Sequence, residues 1–278
     1  MNRFWSITLQ VVVWGVILAY LVFAARLCRS EQEAETLENV DIVVTDYDRL
    51  QTISAGTVRG WLDGAGIPLE GSPMEALSVR QVNDTIASHV FVSDVKVWAE
   101  QRGVLHVEVA QRQPVMRVMT QDGYDFYVSH DMWILPVQAG RGEYVPVVTG
   151  NFRMPFERGW YGELAERAPD DEKITGENYA FLVKLINFVK FTGEDPFWNA
   201  AIVQFNVRET PGAPEWKEPE VQVIPRVGRH TVELGTLDRG EEKLAMLRHF
   251  YASVLDHEGW DLYSTVDVRY DNQVVCRK

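Results

Sequence analysis

The feature that most constrains this chain is a proline that interrupts a run of alternating strand residues. Leu105, Val107 and Val109 fall on one face of a predicted strand, because successive side chains of a strand point to opposite faces. Pro114 then removes a ladder donor and forces the preceding residue into an extended shape. Beyond it, two apolar runs flank an Asp-Gly pair, which is typical of a hairpin. The stretch 104–137 therefore predicts that one sheet ends and another begins with almost no linker.

Composition excludes several functions. The chain has 278 residues, of which 46% are apolar and 24% charged, and this is enough for two ordinary globular domains. The net charge of −13 argues against binding nucleic acid, since such binders carry basic patches that neutralise phosphate. It also argues against a broad electrostatic contact with anionic lipid. The two cysteines, Cys28 and Cys276, indicate no disulfide framework, zinc site or CxxC redox pair.

An uncharged apolar run extends from Phe4 to Ala25. A helix of this length roughly matches the ~30 Å hydrocarbon core of a bilayer. The sequence thus predicts a transmembrane helix over 4–25, a cytoplasmic tail over 1–3 and a juxtamembrane linker over 26–38. A cleaved signal peptide is the alternative, although the run exceeds the usual ~7–15 apolar residues. Orientation is left open, because Arg3 and the amino terminus oppose Arg26 and Arg29.

Residues 39–112 carry the pattern strand, helix, helix, strand, strand. Ser54 is suited to cap the first helix, and Ser78 with Gln81 forms a predicted capping box at the second. Two helices on one face of a three-stranded sheet make a small α+β module. Such a module lacks a cleft lined with catalytic groups, and its free sheet edge suits partner segments.

Residues 113–278 predict a mostly antiparallel β-domain with helical insertions, so the fold class of the whole chain is α+β. Apolar stripes indicate helices over 177–191 and 240–257. Alternating residues indicate strands, the later ones over 202–208, 221–225, 229–235 and 263–270. Val274-Val275 is suited to a short return strand.

The candidate motifs for catalysis or cofactor binding lack the residue types or the spacing that their chemistry requires. The stretch GTLDRG at 235–240 is followed by Glu241-Glu242, where a P-loop needs Lys and Ser or Thr. The six histidines do not form HExxH, and His130-Asp131 lies in a predicted turn without a GxSxG elbow. Asp170-Asp171-Glu172 lacks the glycine-spaced oxygen ligands of a calcium loop. The sequence therefore predicts no catalytic, cofactor-binding or metal-ligating residue, and hence no enzyme and no cofactor.

With its elements in this order, the chain resembles the FtsQ/DivIB family of bacterial cell-division proteins over nearly its full length. In that family a POTRA-like module, here residues 39–112, precedes a β-domain, here residues 113–278. The junction LHVEVAQRQPVMRV, followed by GYDFYVS, resembles the family's junction between the two. QVIPRVGRHTVEL with EEKLAMLRHFY resembles the centre of the β-domain, and TVDVRYDNQVV resembles its last strand.

The resemblance implies a non-catalytic, bitopic scaffold of the divisome that helps regulate septal cell-wall synthesis. It implies FtsB-like and FtsL-like coiled-coil partners on the outer (periplasmic) side of the cytoplasmic membrane at the division septum, and further divisome partners at the POTRA-like module. The coiled-coil partner adds a strand at the edge of the β-domain, with Tyr270 as the principal anchor and Arg269 as a charged contact. The matching segment consists of Thr265, Val266, Asp267, Val268, Arg269 and Tyr270, with Asn272 just beyond. The alternative is that Val266 and Val268 are simply core residues and that Tyr270 packs on the hydrophobic edge.

Two other functions compete with this interpretation. An outer-membrane assembly or secretion chaperone would also use a POTRA-like module, but we expect it to carry a downstream barrel or repeated modules, which the sequence to Lys278 does not contain. A membrane-tethered cell-wall hydrolase would need a nucleophile or metal constellation that the motifs do not supply.

Overall fold

The computed structural model describes residues 13–26, 36–48, 50–100, 103–140, 142–169, 173–209 and 216–278. The chain divides into two compact units, the first ending at Gln111 and the second beginning at Arg112. The two units carry separate hydrophobic cores. Each unit is a folded α+β body.

The prediction of a transmembrane helix over 4–25 is wrong. Residues 13–26 are helical and form α1. Among the residues described, no helix combines the length and apolar character needed to cross a membrane. Residues 1–3 of the predicted tail, 4–12 of the predicted span and 27–35 of the predicted linker lie outside the described residues.

The first unit has the predicted strand-helix-helix-strand-strand order. Its elements are β1 (Asn39–Val44), α2 (Ala55–Gly64), α3 (Val79–Ala87), β2 (Val92–Glu100) and β3 (Val104–Gln111). The sheet order is β1-β3-β2, with β1 parallel and β2 antiparallel to the central β3. The alternation of β3 buries Leu105, Val107 and Val109 beneath the two helices, as the sequence predicted.

Both predicted N-cap serines of the first unit cap their helices, but the reciprocal bond of a capping box forms at Ser54 with Thr57 and is not seen at Ser78, where it was predicted. The Ser54 hydroxyl accepts a hydrogen bond from the Thr57 amide at 3.2 Å, and the Ser78 hydroxyl accepts one from the Gln81 amide at 3.2 Å. Each cap satisfies an amide that has no partner inside its helix, which typically stabilises a fold by ~1 kcal/mol. These two serines therefore fix where α2 and α3 begin.

The second unit is built on a ten-stranded sheet. In sheet order its strands are β13-β12-β11-β10-β9-β7-β4-β5-β6-β8. Three neighbouring pairs (β4–β7, β7–β9 and β11–β12) are parallel and the other pairs are antiparallel, so the sheet is mostly antiparallel as predicted. The strand bounds are β4 Pro114–Thr120, β5 Asp125–Ser129, β6 Trp133–Pro136, β7 Val147–Asn151, β8 Gly162–Glu163, β9 Ile202–Arg208, β10 Glu220–Pro225, β11 Thr231–Gly235, β12 Thr265–Asp267 and β13 Val275–Arg277.

Helices cover the apolar face of this sheet. They are α4 (Lys173–Glu194), α5 (Pro196–Ala201) and α6 (Gly240–Phe250), and α6 continues through a π-helical turn (Tyr251–Leu255) to Glu258. Leu182, Leu185 and Leu247 are buried with the inward residues of the strands in one core. Since α6 joins the parallel strands β11 and β12, its first turn lies at their carboxyl ends.

Some elements of the second unit differ from the sequence prediction. The final strand predicted over 263–270 is only three residues long, Thr265–Asp267, because Arg269 and Tyr270 turn out of the sheet. Strands β7 and β8 and helix α5 were not predicted. Pro211, Pro214 and the acidic stretch 170–172 lie outside the described residues.

A buried histidine makes the second unit sensitive to acid. His230 is packed against Tyr251 and Trp260, and its Nε2 is 2.9 Å from the Tyr251 hydroxyl. Burial lowers the pKa of His230, so below about pH 6.5 the unfolded chain binds a proton that the folded protein resists. We expect the midpoint of thermal unfolding to fall between pH 7.5 and 5.5, and to fall less in His230→Gln. Equal falls in both proteins would contradict this assignment, because all other titrating groups are shared.

Candidate partner-binding site

The candidate site lies at the carboxyl ends of β11 and β12. Here a surface cavity of about 270 Å³ is bounded on one side by the start of α6 and on the other by the turn that joins β12 to β13. Four of the seven predicted site residues line it: Val268, Arg269, Tyr270 and Asn272. The remaining lining residues are Arg239, Glu242, Lys243, Met246 and Asp271.

The other three predicted residues form the strand behind the cavity. Thr265, Val266 and Asp267 make up β12, which pairs with β11 on one side and with β13 on the other. Val266 and Asp267 are buried. Their backbone groups are thus engaged within the sheet, whereas the sequence placed them at its edge. The free edge at this end of the sheet is the outer side of β13.

Tyr270 is the exposed aromatic residue of the site. Its side chain is 47% exposed at the cavity rim, although the two valines before it in the alternating pattern are fully buried. Among the described residues, none forms a hydrogen bond with its hydroxyl. A half-exposed tyrosine beside an open strand edge offers both apolar area and a polar group to another protein.

Arg269 is held in place by Asp267, the last residue of β12. Its Nε and Nη2 donate to the two Asp267 carboxylate oxygens at 3.0 and 2.7 Å, while Nη1 lies 3.4 Å from Glu220. The hydrogen bonds that Arg269 donates to Asp267 raise the pKa of Arg269. Burial alone would raise the pKa of Asp267, but the bonds from Arg269 outweigh it and lower that pKa. Gly235 leaves room for the arginine stem, since a Cβ there would lie 2.8 Å from its Cγ.

Arg239 is one of the five lining residues that the sequence analysis did not predict as part of the site. Its Nε lies 2.7 Å from Glu242 and its Nη1 lies 2.6 Å from Asp271, so it ties the start of α6 to the β12–β13 turn. Arg239 and Asn272 both have left-handed backbones, with φ of 56° and 57°. Such conformations are uncommon outside glycine and concentrate at functional sites. No local motif marks Arg239, because only the β11–α6–β12 crossover brings it beside residue 270.

A second exposed surface lies on the first unit. The sheet face opposite its helices carries Trp98, which is 42% exposed and stacks on His106 with ring centroids 5.1 Å apart. His106 joins all three strands, with Nδ1 3.3 Å from Asp41 and Nε2 3.0 Å from Glu100. Hydrogen bonding to Glu100, together with Asp41, raises the pKa of His106. Within the described residues, no group of three His, Cys, Asp or Glu side chains is arranged to hold a metal ion.

Among the described residues, a small α+β unit is followed by a β-rich unit whose sheet ends in an edge strand, and such an edge can accept a partner segment. The family model for a POTRA-like domain matches residues 36–110, and the model described as FtsQ/DivIB, C-terminal related, matches residues 113–277. The second match covers more than half of the chain, so the chain belongs to the FtsQ/DivIB family. No curated protein matches it.

Family membership supports a role as a cell-division scaffold that works with other proteins of the divisome. The family is generally non-catalytic and is associated with the membrane at the division septum.

Proposed function

We propose that this protein binds FtsB-like and FtsL-like coiled-coil proteins by accepting a β-strand at its β13 edge, and that it thereby helps to regulate septal cell-wall synthesis. The second unit carries this contact, on the outer side of the cytoplasmic membrane. The POTRA-like unit binds other divisome proteins. The exposed sheet face on which Trp98 stacks on His106 supports that part of the proposal. The protein acts as a scaffold and performs no chemistry.

The observation that carries the proposal is the open edge of β13 beside Tyr270. Among the described strands, β13 pairs with β12 alone, and Val275 and Arg277 are exposed. An edge strand presents unpaired N–H and C=O groups that a partner segment can complete. Tyr270 stands at the turn leading into this edge, where its ring can pack on the partner's side chains.

The opposite edge of the sheet is less suited to strand addition. There β8 covers only Trp133 and Ile134 of β6, and β6 ends in Pro136. A proline lacks the backbone donor that a new strand would need, and short edge strands discourage pairing. The contrast between the two edges favours β13 as the acceptor.

The remaining predicted residues have supporting roles in this proposal. Arg269 is the charged contact. Its Nε and Nη2 are bonded to Asp267, and Nη1 is the least engaged nitrogen because its contact with Glu220 is 3.4 Å long. Asn272 shapes the turn through its left-handed backbone. Thr265, Val266, Asp267 and Val268 hold β13 and the turn in position from within the sheet and core.

Photocrosslinking in living cells tests the proposal. A benzophenone amino acid at position 270 is expected to capture a small single-pass coiled-coil protein, identified by mass. The same probe at position 144 is the control. Tyr144 is exposed, but it lies where β9 begins and β10 ends, at the opposite ends of the strands from Tyr270. Equal capture at both positions, or capture at 144 alone, would contradict the site. Capture of unfolded outer-membrane chains at 270 would favour an assembly chaperone instead.

A further inference from the structure

A second cavity of about 370 Å³ lies between α4 and the start of α6. Phe188, Phe191 and Leu237 form its apolar floor, and the exposed Asn187 stands at its rim. We call it the α4 pocket. Phe188 and Leu237 belong to the core of the unit, while Phe191 is only partly covered by it. The pocket thus opens the hydrophobic core to the surface at one point.

The α4 pocket adjoins the cavity beside Tyr270. Arg239 and Glu242 line both cavities, so the two share a wall at the first turn of α6. A strand paired with β13 leaves the sheet at its Val275 end, next to the turn that carries Asp271. A polypeptide continuing from that point meets Tyr270 and Arg239 first and the α4 pocket next.

The floor of the α4 pocket is fixed by close packing. Gly240, the first residue of α6, sits so near Phe188 that a Cβ would lie 2.6 Å from the ring Cε2. Any side chain at position 240 would therefore push the helix away from α4. Because α6 approaches this closely, the pocket is a formed feature of the unbound protein and needs no rearrangement to accept a ligand group.

The basic side chains that line the α4 pocket, Lys184 and Arg239, are already paired with acids of the same chain. Lys184 Nζ lies 2.8 Å from Glu218 and 2.6 Å from Asp238. Arg239 is paired with Glu242 and Asp271. A carboxylate entering the pocket would have to compete with these in-chain acids, whereas an apolar side chain gains burial against the floor without breaking any pair.

We propose that the partner chain that adds to β13 continues past Tyr270 and Arg239 and places an apolar side chain in the α4 pocket. This inference rests on the proposed function. It predicts a partner segment with two parts, an extended stretch that pairs with β13 and a flanking stretch that carries a bulky apolar residue. The α4 pocket then contributes affinity that strand pairing alone does not supply.

Asn187→Trp tests the inference by filling the pocket from its exposed rim. The probe is the extracytoplasmic part of the FtsB-like protein from the same organism, titrated against the purified protein. We expect about 10-fold weaker binding, equivalent to the loss of one apolar anchor. Ala180→Trp is the matched control, since it places the same ring on an exposed position two turns earlier in α4, outside the pocket lining, and leaves affinity unchanged.

A shortened probe that keeps only the strand-forming stretch adds a second measurement. It is expected to bind wild-type protein and Asn187→Trp equally, and this result also shows that the variant is folded. If the long probe binds Asn187→Trp as tightly as wild type, the α4 pocket inference is overturned while the proposed function stands. If neither probe binds wild-type protein, both the proposed function and the α4 pocket inference are overturned.

Discussion

Replacing Tyr270 with alanine is expected to weaken partner binding by at least ~2 kcal/mol, roughly 30-fold, while the thermal midpoint of the protein barely moves. The ring is half-exposed and forms no hydrogen bond with a described residue, so the folded chain loses little when it is removed. A bound partner strand at β13 would cover the ring and turn that exposed area into buried contact. The measurements are a titration with the FtsB-like probe and a thermal melt.

Tyr144→Ala is the matched control for this experiment. Tyr144 is 84% exposed in the same unit but lies where β9 begins and β10 ends, at the opposite ends of the strands from Tyr270. Its loss is therefore expected to leave affinity unchanged. A large fall in the thermal midpoint of Tyr270→Ala would mean that the ring is part of the hydrophobic edge and that the site is wrongly assigned. A wild-type affinity in Tyr270→Ala would remove the tyrosine from the interface.

Local patterns predicted much of the fold because the forces behind them are local. The two serine caps depend only on residues within one turn, and both formed where the sequence placed them. The alternation in β3 also follows directly from the two faces of a strand. Likewise, β3 ends at Gln111 and β4 begins at Pro114 in a different sheet, because proline cannot continue the ladder of β3.

The position of the sheet edge could not be read in the same way. The alternation of Val266, Val268 and Tyr270 continues past the point where β12 ends, since Val268 stays buried and its amide still donates to the Glu233 carbonyl of β11 at 3.0 Å. Asp267 is polar in the pattern yet buried, because Arg269 folds back and neutralises it. Sheet order depends on pairing between distant segments, and only the fold shows that β13 covers β12.

Hydropathy also predicted a membrane span at the amino terminus that the described residues do not support. The uncharged run from Phe4 to Ala25 has the composition of a membrane span, but composition does not fix where a helix begins and ends. The described helix α1 covers 13–26 and thus extends past the run to include Arg26. Length and apolar character must coincide in one helix before a span can be assigned, and in the described residues they do not.

Replacing Gln111 with leucine is expected to destabilise the first unit by roughly 3 kcal/mol. The buried Gln111 side chain accepts a hydrogen bond from the Ile53 amide at 2.6 Å and donates to the Leu50 carbonyl at 2.6 Å and to Asp46 at 3.1 Å. It therefore ties the segment between β1 and α2 to the end of β3. Leucine has a similar size but leaves the Ile53 amide and the Leu50 carbonyl buried without partners, at ~1–3 kcal/mol each.

Hydrogen exchange followed by mass spectrometry can localise this effect. Peptides covering 46–56 are expected to lose protection first in Gln111→Leu, because their attachment to β3 is removed. Gln113→Leu is the matched control: the same substitution two residues later falls on an exposed side chain, and protection of 46–56 should be unchanged. Full protection in Gln111→Leu would mean that the segment is held by its apolar contacts, with Leu50 and Ile53 packed tightly enough to hold it without the glutamine.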